Sequence, residues 1–315
     1  MAVFTSENKR MLLAEAASIV QDGMTIAIGG GLSWREPMAL LRELVRQGRR
    51  NLHAVGTAHG VDVDLLCGAG VIDIIEESYV GFEQDFGMAP NFRRACESGR
   101  VQVLDTCCHT IIQQLRAAEY GVPFLPVRSV QGTDFLRLHP EYKTMTCPFT
   151  DLPLVLVPAL APDVAIIHAQ YGDAQGNLKI LPPLVADLFF IRASKHVIAS
   201  VEKIVSTDEL RSMEPNVPYF WVESVVEAPY GAHPTSCYPF YAYDRAHLTD
   251  YYHAAQAGPE SFMNEYLAPY VFRPATHGEY LSLIGGAAKL QELESWKDSD
   301  DAWRTLFTAP EGAIA

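Results

Sequence analysis

The sequence has no apolar run approaching the ~20 residues that a membrane-spanning helix needs, and its start lacks the h-region and cleavage site of a secretory signal. It is also short of positive charge, with 24 Lys and Arg against 38 Asp and Glu and a formal charge of -14. A surface for nucleic acid or anionic lipid needs clustered Lys and Arg, so neither is an expected partner. The six cysteines (Cys67, Cys96, Cys107, Cys108, Cys147, Cys237) are too sparse for a disulfide framework, and none forms a CxxC pair. Cys107-Cys108-His109 has adjacent rather than metal-ligand spacing, so no metal is expected. These absences together point to a reduced, cytoplasmic compartment.

What is present is a globular composition, 49% apolar and 20% charged, which excludes disorder. The first half repeats one rhythm of amphipathic helix, short apolar strand and Gly- or Ser-bearing loop. Asn8–Val20 has helical spacing, and Met24–Ile28 reads as a strand ending at Gly29-Gly30-Gly31. Pro37 opens a helix over Met38–Arg46. Strands follow at Leu52–Val55, Val71–Ile75 and Val101–Leu104, with a helix to Cys67 and another over Cys108–Glu119. Leu154–Val157, Val164–Ala169, Leu178–Ile180, Val197–Ser200 and Val222–Val226 read as further strands. Helical segments are expected at His247–Gln256, Ser261–Tyr266 and Gly285–Trp296. The predicted fold is α/β, a mostly parallel open sheet with helices on both faces. No linker or repeat divides the chain, so residues 1–315 are read as one domain with a helical tail from about 245.

Ligands of such sheets sit at the carboxyl ends of the strands, which directs attention to the loops there. Gly29, Gly30 and Gly31 let a backbone or a ligand approach closely and can present N–H groups to an oxyanion. The loop lacks the last glycine of a dinucleotide fingerprint and the GK[ST] of a P-loop. After the third strand, Glu76-Glu77 reads as a charged rim. The Ser78 hydroxyl beside Gly81 can donate to a carboxylate. Arg35 and Arg128 are the loop cations suited to a carboxylate or phosphate. His168 and His233 read as hydrogen-bonded structural groups, and Gln170 orders or contacts the same region. No triad or metal spacing joins them.

Asp22-Gly23-Met24-Thr25-Ile26-Ala27-Ile28-Gly29-Gly30, followed by Arg35-Glu36-Pro37, resembles the signature of family I CoA-transferases. Gly31 stands where that pattern has Phe, and Arg35 where it has Gly. The arginine is similar to the glutaconate branch. Further segments resemble the alpha subunit of that branch in the same order: Gly121–Val127 with Gln131-Gly132, Asp163–Gln170, and Ala228–Pro234 continuing to Cys237-Tyr238.

The resemblance implies an alpha subunit that works with a homologous beta subunit, in a heterotetramer. CoA is then a substrate rather than a resident cofactor. The nucleophilic glutamate would lie on the beta subunit, because the Ser-Glu-x-Gly loop that carries it is missing here, and no catalytic residue is expected on this chain. Gly29, Gly30, Gly31, Arg35, Ser78, Gly81 and Gln170 are the expected substrate or CoA contacts, with His168 and His233 structural nearby. The expected reaction moves CoA between an acyl-CoA and a carboxylate, by analogy with glutaconate a dicarboxylate. Two other readings stand beside it. One is a subunit of a related ring-opening hydrolase or decarboxylase, for which Cys108 occupies the place of a catalytic acid. The other is a noncatalytic binding protein that retains the fold.

Overall fold

The computed structural model describes residues 8–82 and 86–298. Leu13–Ala17 (α1), Thr25–Ile28 (β1), Met38–Arg46 (α2), Leu52–Val55 (β2), Val61–Gly68 (α3), Ile72–Glu77 (β3), Pro90–Glu97 (α4), Gln102–Asp105 (β4) and Cys108–Glu119 (α5) follow the alternation that the sequence suggests. Phe124–Val127 (β5), Lys143–Thr146 (β6) and Pro153–Pro158 (β7) then make a separate antiparallel sheet in the order β5-β7-β6. The main sheet resumes with Val164–Gly172 (β8), Leu178–Lys179 (β9), Asp187–Ala193 (α6), His196–Ile204 (β10), Thr207–Ser212 (α7) and Ser224–Glu227 (β11). Its order is β11-β10-β8-β1-β2-β3-β4, all parallel, with β9 antiparallel on β8.

Both faces of this sheet are covered, which is why its central strands read as continuous apolar runs rather than alternating ones. Ile26 and Ile28 of β1 face one core with Leu40, Leu44 and Leu65, while Ala27 faces the other with Ile167, Val197 and Phe190. The first core is closed by the start of the tail, Arg245–Ala257 (α8) and a π-helix Phe262–Phe272, while His277–Leu283 (α9) and Gly286–Glu294 (α10) follow, with Leu293 of α10 buried against Cys237 and Tyr241. Leu248, Tyr251, Phe262 and Tyr266 are buried in that first core. The Tyr251 hydroxyl donates to Asp64 (2.6 Å), which also accepts from Asn91 Nδ2 (3.0 Å) and the Phe92 N–H (2.8 Å), tying α3, α4 and α8 together. No helix among the described residues is long and apolar enough to cross a membrane.

Three expectations change. The first helix is shorter than Asn8–Val20, because Lys9 to Met11 run along the outer edge of β11. The Met11 N–H donates to Val225 O (3.0 Å) and the Val225 N–H to Lys9 O (2.9 Å), so the helical pattern yields to edge pairing. Of the small antiparallel sheet, the sequence pattern shows only β7. Pro126 conceals β5, an edge strand that tolerates proline, and every residue of β6 is exposed, leaving no apolar alternation to read. The expected helix Ser261–Tyr266 becomes a longer π-helix around Pro269, a residue with no N–H to donate.

Candidate functional site

The glycine loop after β1 is built for close approach between protein segments. A Cβ on Gly29 would lie 2.6 Å from Ile167 and 2.7 Å from Asp187. One on Gly31 would lie 2.8 Å from Ala58 O. Gly30 has φ +76, and a Cβ there would meet Trp34 O at 2.4 Å. All three N–H groups are engaged: Gly29 to Ile166 O (2.9 Å), Gly30 to Asp187 Oδ1 (3.1 Å) and Gly31 to Trp34 O (2.9 Å). The expectation that they face an oxyanion is therefore corrected, since each donor already has a protein acceptor.

Arg35 is corrected in the same way. It is 1% exposed, and its guanidinium donates to Asp187 Oδ2 (2.9 Å), His168 O (3.0 Å) and Pro183 O (2.7 Å). It clamps the glycine loop to β8 and the start of α6 instead of reaching a ligand. Gln170, also expected to touch ligand, is buried. It donates to Tyr238 O (2.7 Å) and accepts from the Leu181 N–H (3.0 Å). Gly81 donates to His59 O (3.0 Å), and a Cβ there would meet the Tyr79 hydroxyl at 2.5 Å.

His168 and His233 sit where structural groups belong. His168 pairs with Ser200 Oγ (2.8 Å) and Glu202 Oε1 (2.7 Å), and Glu202 also accepts from the Tyr241 hydroxyl (2.6 Å) and the Tyr230 N–H (2.7 Å). His233 pairs with the Tyr280 hydroxyl (2.7 Å) and Asp244 Oδ2 (3.1 Å), while Arg42 donates to its carbonyl (2.8 Å). These two joints fasten the sheet and the tail.

The accessible chemistry lies at the carboxyl ends of β2, β3 and β4. Thr57 Oγ1 and Ser78 Oγ are 3.1 Å apart, and Cys108 Sγ lies 3.2 Å from Ser78 Oγ. Cys107 caps α5 through the Thr110 N–H, and Thr110 Oγ1 meets Ser129 Oγ at 3.0 Å. Exposed Arg128 adjoins Ser129 and makes no salt bridge among the described residues. Two hydroxyls and a thiol at a helix N-terminus therefore gather at the carboxyl end of the sheet. Burial alone would raise the Cys108 thiol, but hydrogen bonds from Ser78 and Thr57 outweigh it and hold its pKa below the ordinary range. Cys108 is accordingly expected to react with iodoacetamide well before buried Cys67 and Cys237, whose thiols burial pushes up. Peptide mass spectrometry over a time course checks this.

Beneath that cluster lie further acidic groups and a histidine, and the expected charged rim Glu76-Glu77 is corrected: both residues end the buried strand β3, at 6% and 4% exposure. Glu36, His59, Asp62 and Glu77 are all buried. The loop Gly56-Thr57-Ala58-His59-Gly60 is visible as a strand-end loop, but nothing in its spacing announces a pair with residue 77. A cleft of about 450 Å³ lined by Gly68, Arg94 and Arg100 lies elsewhere, by the end of α3, toward the amino ends of the strands.

Residues 10–228 match the coenzyme A transferase family model. The alpha subunit of glutaconate CoA-transferase from Acidaminococcus fermentans is 33% identical over 91% of this chain and 95% of its own length. The crystal structure of that enzyme superposes with a TM-score of 0.85 at 32% identity, covering 90% of this chain and 95% of the other. The cholesterol ring-cleaving hydrolase IpdA subunit of Mycobacterium tuberculosis is 34% identical over 83% of this chain and 94% of its own. An uncharacterised Archaeoglobus fulgidus protein is 35% identical over 91% of this chain, which spans only 64% of that longer relative. With its glycine-rich first strand end, its parallel sheet and this match over more than half its length, the chain belongs to the coenzyme A transferase family.

Proposed function

We propose that this chain is the alpha subunit of a heteromeric CoA-transferase moving CoA between an acyl-CoA and a carboxylate, with a dicarboxylate favoured. The observation that carries this reading is the gathering of Thr57, Ser78 and Cys108 at the carboxyl ends of the strands, with hydroxyl donors suited to a carboxylate. The nearby carboxyls Glu36, Asp62 and Glu77 are buried, so the nucleophile is assigned to a glutamate of a partner beta subunit. Its carboxylate would attack the thioester to give a mixed anhydride and CoA thiolate. The thiolate would then attack the glutamyl carbonyl, releasing the first acid and leaving a glutamyl-CoA thioester. The second carboxylate would reverse both steps. A partner also accounts for Val103, Phe124, Met145 and Leu152, apolar side chains exposed on or beside β4 to β7.

The test is co-expression with a homologous beta-type partner, incubation with acyl-CoA, and borohydride trapping. Trapping at a partner glutamate supports the transfer reading. In the active complex Ser78→Ala is expected to raise KM for the carboxylate about tenfold, the loss of roughly one charge-assisted hydrogen bond, with a smaller effect on kcat. A second reading, hydrolysis of the acyl-CoA, draws on the 34% identity to a ring-cleaving hydrolase subunit, with Cys108 in place of a catalytic acid weighing against it. Free CoA released without acceptor and without a glutamate adduct would establish it in place of transfer.

A further inference from the structure

His59 and Glu77 stand directly beside the two hydroxyl residues of the proposed carboxylate subsite. His59 is two residues after Thr57, and Glu77 immediately precedes Ser78. The same two loops are therefore joined twice, once by Thr57 Oγ1 to Ser78 Oγ (3.1 Å) and once by His59 Nε2 facing Glu77 Oε1 at 3.7 Å. Backbone bonds complete the joint, from the His59 N–H to Tyr79 O and from the Gly81 N–H to His59 O, both 3.0 Å. A Cβ on Gly56 would lie 2.1 Å from Glu77 Oε1 and 2.4 Å from His59 Nε2, so only glycine lets the pair approach. The other ring nitrogen, Nδ1, is 2.5 Å from Asp62 Oδ2, and Asp62 also accepts from the Gly60 and Val63 N–H groups. The Asp62 N–H in turn donates to Glu36 Oε2 (3.2 Å), which brings in the glycine loop.

We propose that His59 is a positioning residue whose ion pair with Asp62 and close contact with Glu77 lock the Thr57–Ser78 contact, an inference that rests on the carboxylate subsite proposed above. Four of the surrounding polar atoms, Glu36 Oε1, His59 Nε2 and both Glu77 oxygens, have no hydrogen-bond partner among the described residues, so the 2.5 Å contact of Nδ1 with Asp62 is what orients the ring toward Glu77. Ligand-type atoms of Glu36, His59 and Asp62 also lie within 4.8 Å of one another, the kind of grouping a metal ion uses. However, a 2.5 Å contact between Nδ1 and Oδ2 leaves no room for an ion between them, since each ligand bond needs about 2.0–2.2 Å. Protons balance the cluster instead. Burial opposes a charged His59, but Asp62 and Glu77 outweigh it and raise its pKa to about 9. Burial raises the Glu77 carboxyl to about 8 despite His59. Other groups facing the cluster are Asp187, paired with Arg35, felt by His59, and Glu76 and Cys108, felt by Glu77.

Both shifts are upward, so the folded chain holds these protons more tightly than the unfolded one. Their stabilisation is complete below the unfolded values and is lost as pH rises, through about 8 for Glu77 and about 9 for His59. The loops should loosen as His59 loses its proton near 9, which leaves Asp62 and Glu77 both anionic with no cation between them.

The test uses the full chain alone, so it does not depend on any transferase assay. Histidine-labelled protein is titrated by NMR, and Cys108 alkylation by iodoacetamide is followed against pH by peptide mass spectrometry. The expected result is a His59 midpoint near 9 and a second rise in the Cys108 rate at that midpoint. In Asp62→Asn both are expected to move down together by about 1–3 pH units. In Glu77→Gln the His59 midpoint also falls, without loss of fold. An ordinary His59 midpoint near 6.5, a Cys108 profile indifferent to Asp62→Asn and Glu77→Gln, or a stoichiometric metal found by elemental analysis would each overturn the proposal. Failure to trap a partner glutamate would strike the transferase reading and leave these outcomes standing.

Discussion

Asp187→Ala is expected to cost the folded chain about 3–5 kcal/mol, the usual penalty for leaving one member of a buried ion pair alone. Arg35 and Asp187 are 2% and 0% exposed in their side chains and meet at 2.9 Å. Asp187 also accepts the Gly30 N–H, so its removal strands a guanidinium and a backbone donor together. The coupled substitution Arg35→Met with Asp187→Leu removes both charges and should recover a large part of the loss. Urea denaturation of the wild type and these two variants measures both effects. A loss under about 1 kcal/mol for Asp187→Ala would mean that the clamp contributes little to holding the loop.

Gly30→Ala is the second large effect, about 2–5 kcal/mol, combining left-handed backbone strain of about 1–2 with overpacking of about 1–3. The control is Gly48→Ala. Gly48 has φ +69, close to the +76 of Gly30, but nothing lies within 4 Å of its added Cβ. It should therefore show the strain alone. Equal losses at the two positions would show that the contact with Trp34 O is relieved at no cost.

The sheet was legible because its strands are buried on both faces and separated by helices, a pattern that survives in one sequence. β8 and the resemblance at Asp163–Gln170 located the middle of the fold correctly. The glycine loop was visible too, but its use was not. Of the residues that consume its donors, Ile166 and Asp187 lie far from the loop in sequence, and only folding brings Asp187 against Gly30. Arg35 failed as a ligand contact for the same reason, since its acceptor lies 152 positions away. Ser78 was readable as a hydroxyl at a strand end. Its neighbours Thr57 and Cys108 follow the adjacent strands β2 and β4, whose register no single segment reveals. The two histidines read as hydrogen-bonded groups, His168 near the end of an apolar strand and His233 after a Tyr-Gly-Ala turn, and each has two polar partners, one of them a carboxylate.

The closing of the first core by the tail has a consequence for synthesis. Leu40, Leu44 and Leu65 are made early, but the Tyr251, Phe262 and Tyr266 that cover them emerge only late in translation. A nascent chain stalled before residue 245 would present that apolar face to its surroundings, the kind of surface that chaperones hold and that aggregation begins from. The tail is thus a cover for a folding intermediate as much as a flank of the finished molecule.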